Sequence, residues 1–349
     1  MNRARILLLI AVLAGGVAAV LGTRSSRENR SQAASDPQPF RVYRSEVLYT
    51  VVEIRLPDGE GVGEAAEAVF EACRAVDARM NEWKPSSPLS AVNAAAGREP
   101  VEVPGDLREV LRRAMAIGEM TGGAFDVTWA ALWGLWSFDE EAAVPDSAAV
   151  AKRAALVDYR GVDVDDARGT VYLPEEGMQV GLGGIAKGYA LDRAVEILRG
   201  RGFEDFLILA GGQVWAEGKQ NGRPWRVGIR DPRGGPEDYF ALLQVEDASL
   251  SSSGDYERFF LLGGVRYHHI LDPVSGYPAR GVRSATAIAS DATLADALST
   301  AFVVMGVDRS LALAERTPGV EAVLVDDEGA VHTSGGIGGR LILRHDPRP

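Results

Sequence analysis

The 349-residue chain has one cysteine, Cys73, and four histidines, and its 37 Lys and Arg are outnumbered by 49 Asp and Glu. A single cysteine rules out an internal disulfide framework and any cysteine-built zinc or iron–sulfur centre. Four histidines leave little scope for a His-rich metal site. A formal net charge of -12 argues against a broad nucleic-acid binder, so no nucleic-acid partner is expected. No internal repeat is present. With 46% hydrophobic residues, the composition excludes a disordered or fibrous chain. Glycine, by contrast, is abundant: 40 residues, about 11% against the usual ~7%. That excess predicts many tight turns, or backbone brought close to a ligand.

Long hydrophobic runs are scarce as well. The one that stands out is residues 6–22, 17 residues without a charge that follow Arg3 and Arg5. Basic residues before a short apolar run read as a secretory signal or a minimal membrane anchor. No cysteine follows it, so a lipoprotein anchor is excluded. Residues 23–39 form a polar linker with no aromatic residue and no aliphatic beyond alanine. The expected organisation is therefore a signal or anchor (1–22), a flexible linker (23–39) and one functional domain (40–349). The expected location is outside the cytoplasm, in the periplasm or on the outer face of the inner membrane, with residues 6–22 as the membrane attachment. Residues 1–30 hold five Arg and one Glu, so the remainder carries 32 basic and 48 acidic residues, net -16.

Within the body, residues 41–56 alternate and are rich in Val, Tyr and Thr, which predicts a strand. Residues 61–83 predict a helix, with Val69, Cys73, Val76, Met80 and Trp83 on one apolar stripe. Cys73 is therefore expected as inert core. A second helix spans 107–120 and is stopped by Gly122 and Gly123. Helices are also expected over 185–199 and 292–305, and strands over 206–210, 225–230, 240–245, 258–262 and 284–290. A last helix–strand pair covers 311–325. No composition break divides residues 40–349, so one large mixed α+β domain is expected.

Four clusters carry chemistry. Gly181, Gly183, Gly184, Ala186, Lys187 and Gly188 form a glycine-rich stretch leading into a helix. Such a stretch can present backbone amides and a helix N-terminus to phosphate oxygens. It also matches G-x-G-x-x-A, with Glu204 and Asp205 about 20 residues on, so a Rossmann oxidoreductase with a parallel βαβ unit stays open. It is not a P-loop, because no Ser or Thr follows Lys187. Asp296 and Thr300 lie four apart on one helix face. They can hold a hard cation such as Mg2+; the alternative is an N-terminal helical Asp with a Thr bonded back to its own helix. His269 and Asp272, beside a Gly/Pro turn at Gly276 and Pro278, offer acid–base groups or merely a hydrogen-bonded turn. Residues 251–256, three serines followed by Gly254, Asp255 and Tyr256, can bind phosphate or form a polar loop. Asp163, Asp165 and Asp166 lack the glycine and the closing Glu of a calcium loop and read as a solvated turn.

Taken in order, these segments resemble the FAD:protein FMN transferases, the ApbE family, over residues 46–336. The resemblance is carried by Met80-Asn81-Glu82-Trp83 with Pro85, Leu89, Ser90 and Asn93, then by Gly122 to Asp126 with Thr128, Leu135 and Trp136. It continues through Gly183 to Tyr189 with Asp192, Gly211-Gly212, and Pro224-Trp225 with Ile229. It closes with Ser253-Gly254-Asp255-Tyr256, His269 with Asp272, Pro273, Gly276 and Pro278, and Ala295-Asp296 with Thr300. It implies an ApbE / T-fold-like α+β domain whose motif-bearing turns converge on one FAD-sized cleft. It implies a Mg2+-dependent transfer of FMN from FAD to a Thr or Ser hydroxyl of a target redox protein, with AMP released. Alternatives on the same fold are an FAD pyrophosphatase and a flavin-binding carrier without chemistry.

The resemblance also implies roles. Asp296, Thr300 and the carbonyl of Ala186 match metal ligands. Leu48, Trp83, Ala124, Phe125, Asp126 and Leu271 match flavin contacts, and Gly183, Lys187, Tyr189 and Ser253 match further FAD-binding positions. His269 would move a proton from the attacking hydroxyl, with Asp272 orienting or assisting it. Three departures stand out: Ser252 where the family often has Thr, Gln213 where an acidic residue is common, and no lipoprotein cysteine.

Overall fold

A computed structural model describes residues 38–139 and 142–348. The signal or anchor segment, and the linker up to residue 37, lie outside the described residues. Among the described residues, no helix is long and apolar enough to cross a membrane.

The stretch expected as one strand is a hairpin. Strands β1 (Phe40–Val47) and β2 (Thr50–Pro57) pair antiparallel, from Phe40↔Pro57 to Val47↔Thr50. The chain reverses at Leu48 and Tyr49, both at φ 56. Two successive left-handed residues suit the twist of a two-residue hairpin, but Asn-Gly or Asp-Gly normally supplies them. The turn was therefore hidden in the sequence.

Helix α1 (Val62–Arg79) buries Val69, Cys73 and Val76, and Met80 caps it. Burial pushes the Cys73 thiol up to about 12, so it behaves as inert core. Trp83 is not on the stripe: the helix ends before it, and its ring is exposed. Next come α2 (Pro88–Ala94), β3 (Val101–Glu102) and α3 (Gly105–Thr121). Gly122 ends α3 at φ 63, and Gly123 N–H returns to the Gly118 carbonyl at 2.8 Å. Helix α4 (Ser147–Ala154) precedes β4 (Asp163–Asp165) and β5 (Thr170–Tyr172), which form a small sheet with β3. The expected solvated turn at Asp163 to Asp166 is thus a short strand, followed by a carboxylate paired with Arg108 and Arg112.

Helix α5 (Ala186–Gly200) leads into β6 (Phe206–Ala210) and β7 (Gln213–Glu217). Then follow β8 (Lys219–Gln220), β9 (Arg223–Arg230), β10 (Tyr239–Val245) and β11 (Ala248–Gly254). A separate hairpin, β12 (Phe259–Leu262) and β13 (Val265–His268), precedes β14 (Val282–Ala289). The chain ends with α6 (Ala292–Met305), α7 (Val307–Arg316), β15 (Glu321–Asp326), β16 (Val331–Thr333) and β17 (Leu341–Leu343).

The main sheet has the order β1-β2-β6-β7-β11-β14-β15-β16, antiparallel at every step. That removes the Rossmann alternative, which needs parallel strands joined by a crossover. Alternation sorts its two faces. Phe206, Ile208, Trp215, Ala285 and Ala287 face the helices. Leu207, Leu209, Val214, Leu250 and Ile288 face a second sheet, ordered β17-β10-β9-β8. The serine-rich stretch read as a loop is therefore mostly β11, a central strand. Serine has weak strand preference, and only the strand's place in the sheet makes it one. Helix α6 lies over β11 and β14 and against α5, with 11 of its 14 residues buried.

Candidate active site

Helices α5 and α6 cross at Gly188. A Cβ there would come within 2.3 Å of the Ala292 carbonyl oxygen, so only glycine permits this approach. The same approach lets Gly188 N–H donate to Asp296 Oδ2 at 3.0 Å. Asp192, part of the Gly183 to Asp192 segment, fixes the crossing from the other side. Its carboxylate accepts Ala292 N–H at 2.7 Å and Thr293 N–H at 3.0 Å, satisfying amides at the start of α6. Burial and the nearby Asp291 raise the Asp192 carboxyl above its usual range, which the hydrogen bonds from Thr293 and Ala292 oppose. Arg113 pairs with both Asp291 and Asp192.

Asp296 is buried, at 3% exposure, in the second turn of α6. Its Oδ1 lies 3.3 Å from Ser251 Oγ and 3.8 Å from Lys187 Nζ. Lys187 also donates to the Gly183 carbonyl at 3.1 Å. A Cβ on Gly184 would reach Phe125 at 3.3 Å and Thr300 Oγ1 at 3.4 Å, so the glycine turn is wedged between those two side chains. Thr300 is not bonded back to its own helix. Its hydroxyl sits 3.3 Å from Ser253 Oγ, and Ser299 is the residue that bonds back, to the Asp296 carbonyl at 2.9 Å. Ala186, the proposed carbonyl ligand, opens α5 one residue before Lys187. Among the described residues no three His, Cys, Asp or Glu converge to hold a metal. The donors gathered here are oxygens of mixed type, the set a hard cation accepts.

His269 follows β13, and its N–H donates to the Arg258 carbonyl at 3.0 Å. Its Nδ1 is buried without a hydrogen-bond partner. Burial, with the neighbouring His268, Arg258 and Lys187 charges, lowers the imidazole to about 3. The ring is therefore neutral, as a proton acceptor must be, and its Nδ1 is left without a protein partner. Asp272 is not joined to it. Its carboxylate accepts Val274 N–H at 3.0 Å and Ser275 Oγ–H at 2.8 Å, within the turn that also takes Gly276 N–H to the Asp272 carbonyl at 2.8 Å. Trp136 Nε1 donates to the Gly276 carbonyl at 2.9 Å, and Trp136 packs with Leu132 and Leu271. Asp272 thus shapes the segment that carries His269.

Several expected ligand contacts are engaged elsewhere. Asp126 caps the 3-10 turn Val127–Leu132: it accepts Thr128 N–H at 2.8 Å and Tyr159 N–H at 2.9 Å. Tyr189 is buried, with its hydroxyl on Glu109 at 3.2 Å and Arg193 over its ring. It packs α5 onto α3, and its side chain is not among the groups around Asp296. Trp225, a motif residue for which no ligand contact was expected, belongs to the second sheet's core, where its Nε1 donates to the Glu217 carbonyl at 2.8 Å. Ala124 and Phe125 are buried beside the glycine turn, and Leu48 packs on the core at the β1–β2 tip.

Sequence reasoning missed other neighbours. The Trp83 and Trp133 ring centres lie 3.8 Å apart with the planes tilted by 54°, and Trp129 lies 6.1 Å from Trp133. Glu82 sits under the turn: burial raises its carboxyl, against the pull of the Leu182 and Gly183 amides and the Lys187 charge. Glu82, Trp83, Ala130 and Trp133 line a cleft of about 170 Å3. That is smaller than the ~300–1,000 Å3 of usual ligand pockets, so the expected FAD-sized cleft is not preformed there. A second cleft of about 290 Å3, bounded by Asp58 and Glu204, contains none of the residues expected to bind flavin, metal or phosphate.

The model of the ApbE family matches residues 48–324. The chain belongs to the ApbE family. It is 38% identical over 315 residues to an FAD:protein FMN transferase of Treponema pallidum, covering 84% of this chain and 87% of that one. It is 32% identical over 262 residues to one from Klebsiella pneumoniae, covering 74% and 81%. Among solved structures, the ApbE protein of Thermotoga maritima superposes with a TM-score of 0.79 at 35% identity, over 89% of this chain and all of that one. The flavin transferase ApbE of Vibrio cholerae gives 0.76 at 26% identity, over 86% and 99%.

Proposed function

We propose that this ApbE-family chain is a flavinyltransferase that moves FMN from FAD to a Thr or Ser hydroxyl of a redox protein. The observation that carries the reading is the meeting of the glycine turn, Lys187, Asp296 and Thr300 at one helix crossing, with a free histidine nitrogen nearby. The acceptor oxygen forms a bond to the FMN-side phosphorus while the bond from that phosphorus to the AMP phosphate breaks. The hydroxyl proton passes to neutral His269, and AMP leaves.

Mg2+ fits the donor set and would be held by Asp296, Thr300 and the Ala186 carbonyl. It would supply charge neutralisation at the phosphoryl oxygens. Lys187 adds a positive charge beside the same oxygens. Phe125 and Trp83 offer ring faces to the flavin. Asp272 acts by holding the His269 segment in place. The apolar run at 6–22 fits export and attachment to the outer face of the inner membrane, where acceptor redox domains would be met.

The full-length protein, incubated with FAD, Mg2+ and an acceptor domain with an exposed Thr, tests this by AMP release and in-gel flavin fluorescence. Both signals, lost with EDTA, are expected. AMP without a fluorescent acceptor would make the protein an FAD pyrophosphatase, with water in place of the hydroxyl. Bound FAD without AMP would leave only the carrier.

A further inference from the structure

Along β11, side chains alternate between the two faces of the sheet. Leu250 enters the second-sheet core, and Ser252 bonds Thr286 at 2.7 Å. Ser251 and Ser253 point the other way, at α6. Their partners across the β11–β14 ladder are Ala287 and Ala285, so alanine would fit the layer. Ser251 and Ser299 are buried there, and a buried hydroxyl costs free energy unless it is bonded.

They are bonded to one another. Thr300 Oγ1 lies 3.3 Å from Ser253 Oγ, which lies 2.8 Å from Ser299 Oγ, which lies 2.9 Å from the Asp296 carbonyl. Ser251 Oγ lies 3.2 Å from Ser299 Oγ and 3.3 Å from Asp296 Oδ1. A carbonyl only accepts, so this end sets the direction of the chain. Ser299 donates to the Asp296 carbonyl and accepts from Ser253, and Ser253 accepts from Thr300. A hydroxyl has one proton and two lone pairs. With its proton turned to Ser253, Thr300 keeps its lone pairs for a ligand outside the strand. Ser251 then gives its proton to Asp296 Oδ1, because a carboxylate is the stronger acceptor.

We propose that Ser253, acting through Ser299, is a positioning residue for the cation: it holds the Thr300 proton away so that the hydroxyl oxygen can ligate. This rests on the reading of Asp296 and Thr300 as cation ligands. It also gives Ser253 a role distinct from the phosphate contact expected from the sequence, since both hydrogen-bond partners of its side chain are hydroxyls of α6.

The test titrates Mn2+ into the full-length protein, alone and with FAD, follows the free-ion EPR signal, and then displaces Mn2+ with Mg2+. Loss of an outer partner of a metal ligand typically weakens binding about 10- to 100-fold. Ser253→Ala should show a weakening of that order for both ions, with FAD affinity in EDTA unchanged. Ser253→Thr, which keeps a hydroxyl, should recover most of it, and Ser252→Ala on the opposite face should bind as wild type. Wild-type metal affinity in Ser253→Ala would overturn the proposal. So would a comparable loss of FAD affinity in EDTA, which would return Ser253 to the phosphate. If Ser253→Ala fails to fold, Ser299→Ala carries the same expectation. Equal Mn2+ binding by wild type and Asp296→Ala would instead remove the parent reading.

Discussion

On one side of the main sheet, Trp225, Phe240 and Leu243 pack with Leu207, Val214 and Leu250 as an apolar cluster. On the other side, the same strands meet α6 through Gln213, Ser249, Ser251, Asp296 and Ser299, all buried. The first side needs only shape and apolar area to be stable. The second holds polar groups that must each find a partner, which is a demanding way to build a core. Gln213 shows the strain of that choice: its Nε2 reaches the Ala292 carbonyl at 2.7 Å, while its Oε1 is buried without a partner. The proposed division of the molecule into scaffold and site rests on this difference between the two faces.

The comparison can be broken from either side. The largest effect is expected at the rim of the polar face. His269→Ala should keep FAD binding yet slow transfer roughly 100- to 10,000-fold, the usual range for a lost acid–base group. Single-turnover labelling of the acceptor measures this, and equal turnover would remove His269 from the mechanism. On the apolar face, Trp225 is fully buried. Trp225→Ala should lower unfolding free energy by about 3–5 kcal/mol, with turnover per folded molecule unchanged. Urea denaturation and active-site titration together would show whether the faces are separable; a matching loss of turnover would show that they are not.

At neutral pH the smallest effect is the one tied to protonation. Burial lowers the pKa of both His268 and His269. Each stays neutral in the folded protein and takes up a proton in the unfolded chain below its ordinary pKa of about 6.5. Stability from this source is therefore complete above that pH and is lost as pH falls below it, down to about 3 for His269. The slope is at most about 1.4 kcal/mol per pH unit for each histidine. His269→Gln should flatten the acid limb of a melting-temperature profile, and an unchanged limb would contradict the burial of the imidazole.

What was legible in the sequence follows the same division. Helices α1, α3, α5 and α6 carry apolar stripes or glycine stops, and their cores appear where those signals fall. Strand β11 was illegible because Ser251, Ser252 and Ser253 have no strand signature outside the sheet. The Leu48–Tyr49 reversal was illegible because non-glycine residues occupy a left-handed turn. Asp296 and Thr300 could be paired from their spacing alone. Ser299, Ser251 and Asp192 could not be given roles, because their partners lie 45 to 101 residues away or on another strand. Tyr189 and Asp126 were read as ligand contacts from their motifs; the structure adds that their side chains tie neighbouring elements together.

The most direct test of the central claim compares full-length wild type with Asp296→Ala for AMP release from FAD in the presence of an acceptor domain with an exposed Thr, across a Mg2+ titration, with FAD affinity in EDTA measured in parallel. The account predicts EDTA-sensitive AMP release by wild type and none by the variant, with FAD affinity in EDTA retained by both. AMP release by Asp296→Ala at the wild-type rate and Mg2+ dependence would contradict the assignment of this helix crossing as the catalytic centre.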